Sequence, residues 1–275
     1  MPKMLSYEDK GTWVHNLCGV TKLVFFILWM LTAMICYDIR VLLVMVVVSA
    51  LIFITSKTSF DQVRGVFSLI IVFLTINLIA IFLFAPEHGV ELYGTKHVLC
   101  QLSNRYVVTK EQLFYEAHVF IKYLVIVPSV FTFLVTTNPS EFAASLNRVG
   151  VGYKGGYSLA LALRYIPDVQ SDFAKIKNSQ AARGIEMSKK ASLMDRIKHT
   201  AAIIFPLIFT SMDRIDVVSN AMELRCFGKN KKRTWYMGRP LKAIDYIVIT
   251  ATIVSMVVAL TITFSNGSRF YNPFI

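Results

Sequence analysis

Val66–Ala85 reads VFSLIIVFLTINLIAIFLFA, twenty residues without one formal charge. An α-helix needs about 20 mostly apolar residues to cross a bilayer, so this stretch predicts a membrane protein. Working outward, Val20–Cys36 and Val119–Val135 have the same character, each interrupted by a single cation, Lys22 and Lys122. Ala243–Phe264 is apolar after Asp245, and Val41–Ile54 is short but uninterrupted. The expectation is an all-α, polytopic membrane protein with about five to six transmembrane helices. Composition points the same way: 55% of the 275 residues are hydrophobic and the mean hydropathy is +0.55, too apolar for an ordinary soluble domain.

Charge placement predicts the orientation. With the N-terminus in the cytoplasm, the inner side holds Lys3, Lys10, Lys22, Lys57 and Arg64, and eighteen further cations between Asn138 and Lys242. The outer side holds Arg40, Lys96, Arg105, Lys110 and Arg269. That is 23 against 5, with Lys122 inside a span, and positive charge stays inside. The net charge of +12 is therefore a topology signal, and no nucleic-acid partner is expected. The first apolar run is expected to remain in the protein. It is too long for the hydrophobic region of a signal peptide, and Met34-Ile35 ahead of Cys36 lacks the small residues of a cleavage site.

Little in the chain points to chemistry. Cys18, Cys36, Cys100 and Cys226 are scattered, which predicts neither a disulfide framework nor a zinc site. Pro86–Gln112 reads as an outer loop, and its His97 and Cys100 are two ligands, too few for a metal centre. His15, His88, His97, His118 and His199 show no His-Glu-x-x-His spacing, so an intramembrane enzyme is a poor reading. A secondary transporter that binds its own substrate would place polar groups near the midplane. The spans offer little beyond Asn77 and Lys122, and Lys122 lies close enough to the start of its run to snorkel outward.

The segment between the last two spans is different. Asn138-Pro139-Ser140-Glu141 is a helix-start signal, with a cap residue, proline at the first position and an acid that completes a capping box. Gly150 and Gly152 end that short helix. From about Tyr157 to Ala182, Leu159, Leu163, Ile166, Val169, Phe173 and Ile176 recur at three and four, one apolar stripe. Arg164, Asp168, Asp172 and Lys175 fall opposite, spaced for pairing within the helix. From about Leu193 to Met222 the design repeats, with Leu193, Ile197, Ala201, Ile204, Ile208, Met212, Ile215 and Val218 in the stripe. The purely apolar part of this second block, Ala201–Met212, is too short to cross, so a long helix lying at the membrane surface is expected. Pro167 and Pro206 should kink the two helices. Each block leads to one arginine, in Ala182-Arg183-Gly184 and in Leu224-Arg225-Cys226, and the arginines lie 42 residues apart (225 − 183). Such a helix pair fits either a coupling device or a cover over the protein's own inner side.

Thr136-Thr137-Asn138-Pro139-Ser140-Glu141, Leu161-Ala162-Leu163-Arg164-Tyr165-Ile166-Pro167, Gln180-Ala181-Ala182-Arg183-Gly184 and Ala221-Met222-Glu223-Leu224-Arg225 follow one another in order. In order and spacing they resemble the T component of energy-coupling factor transporters, in the cobalt transport protein Q-like family. These are the transmembrane scaffold subunits of vitamin- and metal-importing ATP-binding-cassette systems. The resemblance covers roughly 136–238, and the spans match in layout, with Lys22 in a family-like position. It implies three parts: N-terminal transmembrane helices over 1–136, a cytoplasmic or interfacial coupling-helix module over 137–242, and a C-terminal transmembrane helix and tail over 243–275.

By the same resemblance the chain is a non-catalytic subunit with no cofactor of its own, ATP being held by two partner ATPase subunits. Ala182, Arg183 and Gly184 would dock on one ATPase, and Leu224, Arg225 and Cys226 on the other. Leu159, Leu163, Ile166, Phe173, Ile204, Ile208 and Met212 would face one substrate-binding S component within the lipid bilayer. No Gly-x-x-x-x-Gly-Lys-Ser/Thr loop occurs, so nucleotide would have to sit on partners. Two departures stand out. The second tip normally reads Ala-Arg-Gly, and Cys226 here replaces its glycine, which predicts a looser contact. The usual Asp-Pro-Arg ahead of Lys22 is absent, with Cys18-Gly19-Val20 in its place, drift that suits a subunit dedicated to one substrate system.

Overall fold

The computed structural model describes residues 10–58, 60–101, 107–184, 193–230, 234–235, 238–265 and 270–273, with the backbone alone at 60–62, 193, 195 and 196. Ten helices and one two-stranded hairpin occur among them. Two compact units result, Met1–Asn138 with Arg239–Ile275, and Pro139–Gly238.

In the first unit the apolar runs become helices α2 (Gly19–Ile35), α3 (Ile39–Thr55), α4 (Phe60–Phe84), α6 (Lys110–Thr136) and α10 (Ala243–Phe264), preceded by the single turn α1 (Trp13–Asn16). Over the described residues α4, α6 and α10 are long and apolar enough to cross a membrane. The two 17-residue helices α2 and α3 reach about 26 Å at 1.5 Å per residue. A helix slightly shorter than the hydrocarbon core is accommodated by local thinning of the bilayer. The fold is all-α and polytopic.

Helix α6 is the hub, packing against α2, α3 and α4. Trp29, Ala33 and Cys36 interlock with Val41, Met45, Val125 and Ala259, and a second cluster joins Val63 to Phe131 and Val135. The opposite faces, such as Leu69, Val72, Phe73 and Ile76 of α4, stay exposed, as lipid-facing side chains must.

Two charged side chains buried in this unit, Lys22 and Asp245, are paired. Lys22 is buried and donates to the carbonyls of Thr136 (2.8 Å) and His15 (3.3 Å). Asp245 is also buried and accepts from Cys18 N, Thr21 Oγ1 and Lys242 N at 2.8–2.9 Å. It thereby starts α10 and ties it to α2.

The segment expected to be a loop is more ordered than that. It holds helix α5 (His88–Tyr93) and a hairpin of β1 (Val98–Gln101) and β2 (Val107–Thr109), and α6 begins at Lys110, before the apolar run itself. The reason is Glu111, fully buried, which accepts from Thr95 Oγ1 and His97 N and pairs with His97 Nδ1 at 2.6 Å. His97 is thus held by a carboxylate, while Cys100 is exposed. Among the described residues no cluster of three metal-ligating side chains occurs. Lys122, midway along α6, donates to the Met34 carbonyl at 3.2 Å and lies 3.3 Å from the Tyr37 ring centroid, so it ties α6 to the end of α2.

Candidate functional site

The second unit consists of α7 (Pro139–Arg148), α8 (Tyr153–Ala182) and α9 (Leu193–Leu224). Helix α8 starts one turn before the predicted point and α9 runs two residues beyond it, and both continue through their prolines, Pro167 and Pro206. Gly156 lets α7 approach α8 closely: a Cβ there would lie 3.0 Å from the Ala143 carbonyl and 3.3 Å from the Trp235 ring. Trp235 is held in turn by its indole N–H on Asn147 Oδ1, at 3.1 Å.

Helices α8 and α9 lie antiparallel. Gln180 near the end of α8 donates to the Ala202 carbonyl near the start of α9, and Asp172 meets Arg214. At the other end Phe227 packs against Tyr157 and Tyr153, with ring centroids 4.7 and 5.7 Å apart. The two C-termini therefore point to opposite ends of the pair, separated by about 45 Å, the length of a 30-residue helix.

Both C-termini end in the same way. Arg183 caps α8, and Gly184 follows in the left-handed conformation (φ +81°) with its N–H on the Ala181 carbonyl. Arg225 follows α9, and Cys226 is also left-handed (φ +53°), with its N–H on Glu223 O and that of Phe227 on Met222 O. That pair of bonds is the Schellman arrangement, in which a left-handed residue is usually glycine. An L-residue there costs about 1–2 kcal/mol, and Phe227 anchoring on the two tyrosines holds Cys226 in place. The glycine missing from the second tip has left its backbone conformation behind. Sequence reasoning missed this, although Cys226-Phe227 after a helix is the signal for an aromatic anchor beyond the cap.

Ala182, Arg183, Gly184, Leu224, Arg225 and Cys226 are all exposed. Leu224 is 87% exposed, so the second tip presents a large apolar knob where the first presents an alanine methyl. An arginine at a helix C-terminus also faces the negative end of the dipole, which orders it for an acidic partner.

The stripes divide in two. Ile166, Phe173, Ile204, Ile208 and Met212 are exposed, and Leu159 and Leu163 are half-buried. Val169 and Val218 are half-buried and line a groove of about 410 Å³ with Tyr165 and Met222, and Ile215 stands at its open side, still exposed. The side chain of Leu193, assigned to the second stripe, lies outside the described residues.

Arg214, which sequence reasoning passed over, stands at the side of this groove. Its Nη2 donates to Asp172 Oδ2 at 2.6 Å, and its Nη1 lies 3.9 Å from Asp168 Oδ2. Asp172 also pairs with Lys175 at 3.5 Å, the contact that helix spacing predicts. The Arg214 hydrogen bond, against the opposing pull of burial, holds the Asp172 carboxyl below the usual carboxylate range, with Lys175 adding to it. The i,i+4 spacing of Asp168 and Asp172 was the readable signal, but its partner on α9 was not.

Comparisons with known proteins place this architecture. The Energy-coupling factor transporter transmembrane protein EcfT of Clostridium kluyveri is 22% identical over 263 residues, covering 92% of this chain and 94% of that protein. EcfT of Lactococcus lactis is 25% identical over 162 residues, 56% of this chain and 60% of the relative. A putative ABC transporter ATP-binding protein of Bifidobacterium longum is 32% identical over 130 residues, 44% of this chain but 16% of that protein. The chain thus spans less than two thirds of the last two relatives and nearly the whole of the first. The model of the family described as Cobalt transport protein, CbiQ, matches residues 10–236, and with most of its length inside that match this chain belongs to the CbiQ cobalt transport protein family.

Proposed function

We propose that the chain is the transmembrane T component of an energy-coupling-factor-type ATP-binding-cassette importer. The observation that carries this reading is the pair of exposed arginine-bearing helix ends, built on one backbone design and turned to opposite ends of an antiparallel pair. Two contacts of one kind, about 45 Å apart, suit two separate bodies of similar shape. Those bodies are two cytoplasmic ATPase subunits, one taking Ala182, Arg183 and Gly184 and the other Leu224, Arg225 and Cys226. The Bifidobacterium longum relative supports such a partnership: a segment similar to this chain makes up a minor part of a protein whose name assigns it ATP binding.

The remaining parts follow from that assignment. Residues 137–242 are the coupling module, joined to membrane parts over 1–136 and 243–275, and the N-terminus lies in the cytoplasm with the excess of positive charge. Ile166, Phe173, Ile204, Ile208 and Met212 form an exposed apolar surface for one membrane-embedded, substrate-binding S component, with Leu159 and Leu163 at its edge. The chain carries no catalytic residues and no cofactor, since ATP binds to the ATPases. Hydrolysis there shifts the two coupling helices against each other, and the S component reorients with them.

Purification in mild detergent tests the proposal. Two ATP-binding-cassette subunits and one small apolar membrane protein should accompany the chain, and uptake should require ATP. A solitary chain that transports substrate in vesicles without nucleotide would overturn the reading.

A further inference from the structure

We infer that Arg214 is a two-position latch between the coupling helices, holding Asp172 in the structure described above and passing to Asp168 when the helices slide. The inference rests on the T-component reading, because it needs the two helices to move against each other. The two carboxylates stand one helical turn apart on α8, about 6 Å along its axis for four residues. One guanidinium faces both: Asp172 at 2.6 Å and Asp168 at 3.9 Å. Its planar fork of donors can bond one carboxylate while it approaches the next. Because the guanidinium already stands between the two carboxylates, a helix shift of about 1–2 Å exchanges the strong contact without leaving either end state unpaired.

Two further observations place the movement at this point. The groove of about 410 Å³ that Arg214 lines separates the helices on its Tyr165–Met222 side, so the pair is not close-packed there. Close packing would resist displacement. Pro167, immediately before Asp168, has no N–H to give to the preceding turn, which weakens α8 beside the second position. Lys175 also holds Asp172 from within α8, at 3.5 Å, and keeps that carboxylate oriented when Arg214 leaves.

The test is Asp168→Asn in the complete complex, with ATP hydrolysis and ATP-driven uptake measured together. Asp168 is 56% exposed at its side chain and is not the closer partner, so the variant should assemble and melt as wild type does. Uptake per ATP hydrolysed should fall about fivefold, the scale of a partly exposed ion pair. Asp168→Glu should restore it. Asp172→Asn should lower coupling and also melting temperature, because it removes the resting contact. Wild-type uptake per ATP in Asp168→Asn would overturn the latch, and so would loss of the ATPases from that variant, since the residue would then act in assembly. Failure of the unmodified chain to hold ATPases would refute the T-component reading instead.

Discussion

Replacing Gly184 separates two roles that the first arginine tip combines. Among the described residues no atom lies within 4 Å of the position that a Cβ would take, so alanine meets no clash with them. The left-handed backbone alone resists it, at about 1–2 kcal/mol, or roughly a 5- to 30-fold loss in the population of correctly ended tips. Asparagine tolerates this conformation better than alanine but is the larger side chain. If Gly184 serves only to end α8, ATPase retention should fall in the order Gly, Asn, Ala. If the tip enters a tight groove on the partner, the order should be Gly, Ala, Asn. We expect the second order, measured as ATPase copurification and ATP-driven uptake for both variants. Cys226→Gly is the control: a side chain already occupies that position, so glycine relieves strain without loss of binding. Retention of the ATPases by Gly184→Asn together with their loss from Gly184→Ala would refute the close-approach argument.

Charge reversal at the tips should act on coupling and leave the membrane helices folded. Arg183→Glu should cost roughly 2–5 kcal/mol of ATPase binding, as truncation of an interfacial charge pair does, and the double change with Arg225→Glu should release both ATPases; copurification is the assay, and wild-type behaviour of the double variant would remove the arginines from the mechanism. Ile166→Glu or Phe173→Glu should leave membrane yield intact, because these side chains are 50% and 37% exposed, while the small membrane partner is lost from the purified complex. Asp245→Ala removes the shared acceptor of three donors and should destabilise the first unit by about 1–3 kcal/mol, read as a lower melting temperature in detergent, with Asp245→Asn recovering most of it. Asp172 titrates lower in the folded chain than the unfolded value of about 3.9. Its contribution is therefore complete above that value and disappears as pH falls through the folded pKa, so Asp172→Asn should lower the melting temperature at neutral pH and flatten the acid limb of the melting profile.

Some of this was legible in the residues and some was not, and the division follows range along the chain. Val66–Ala85 declares a membrane helix because hydropathy and length act within one segment, and the stripes of α8 and α9 are visible because 3.6-residue periodicity is local. The helix start at Pro139 is local too. The four motif blocks carried the family for the same reason, each being a short string at a set distance from the next. Elsewhere the local reading fell short. The order between Pro86 and Lys110 depends on Glu111 collecting donors from Thr95 and His97, and such a pairing has no sequence period. Cys226 looked like a lost glycine, yet its backbone is held left-handed by Phe227 against Tyr153 and Tyr157, about seventy residues earlier in the chain. Ile215 and Val218 share a stripe with Ile208 and Met212, but only the antiparallel crossing decides which of them face the groove. Likewise, the sequence shows two arginine tips 42 residues apart, while their separation to opposite ends, and the placement of Arg214 between two aspartates, come from the packing of α8 on α9. Spacing along one helix determines a face; which partner that face meets is a property of the folded pair.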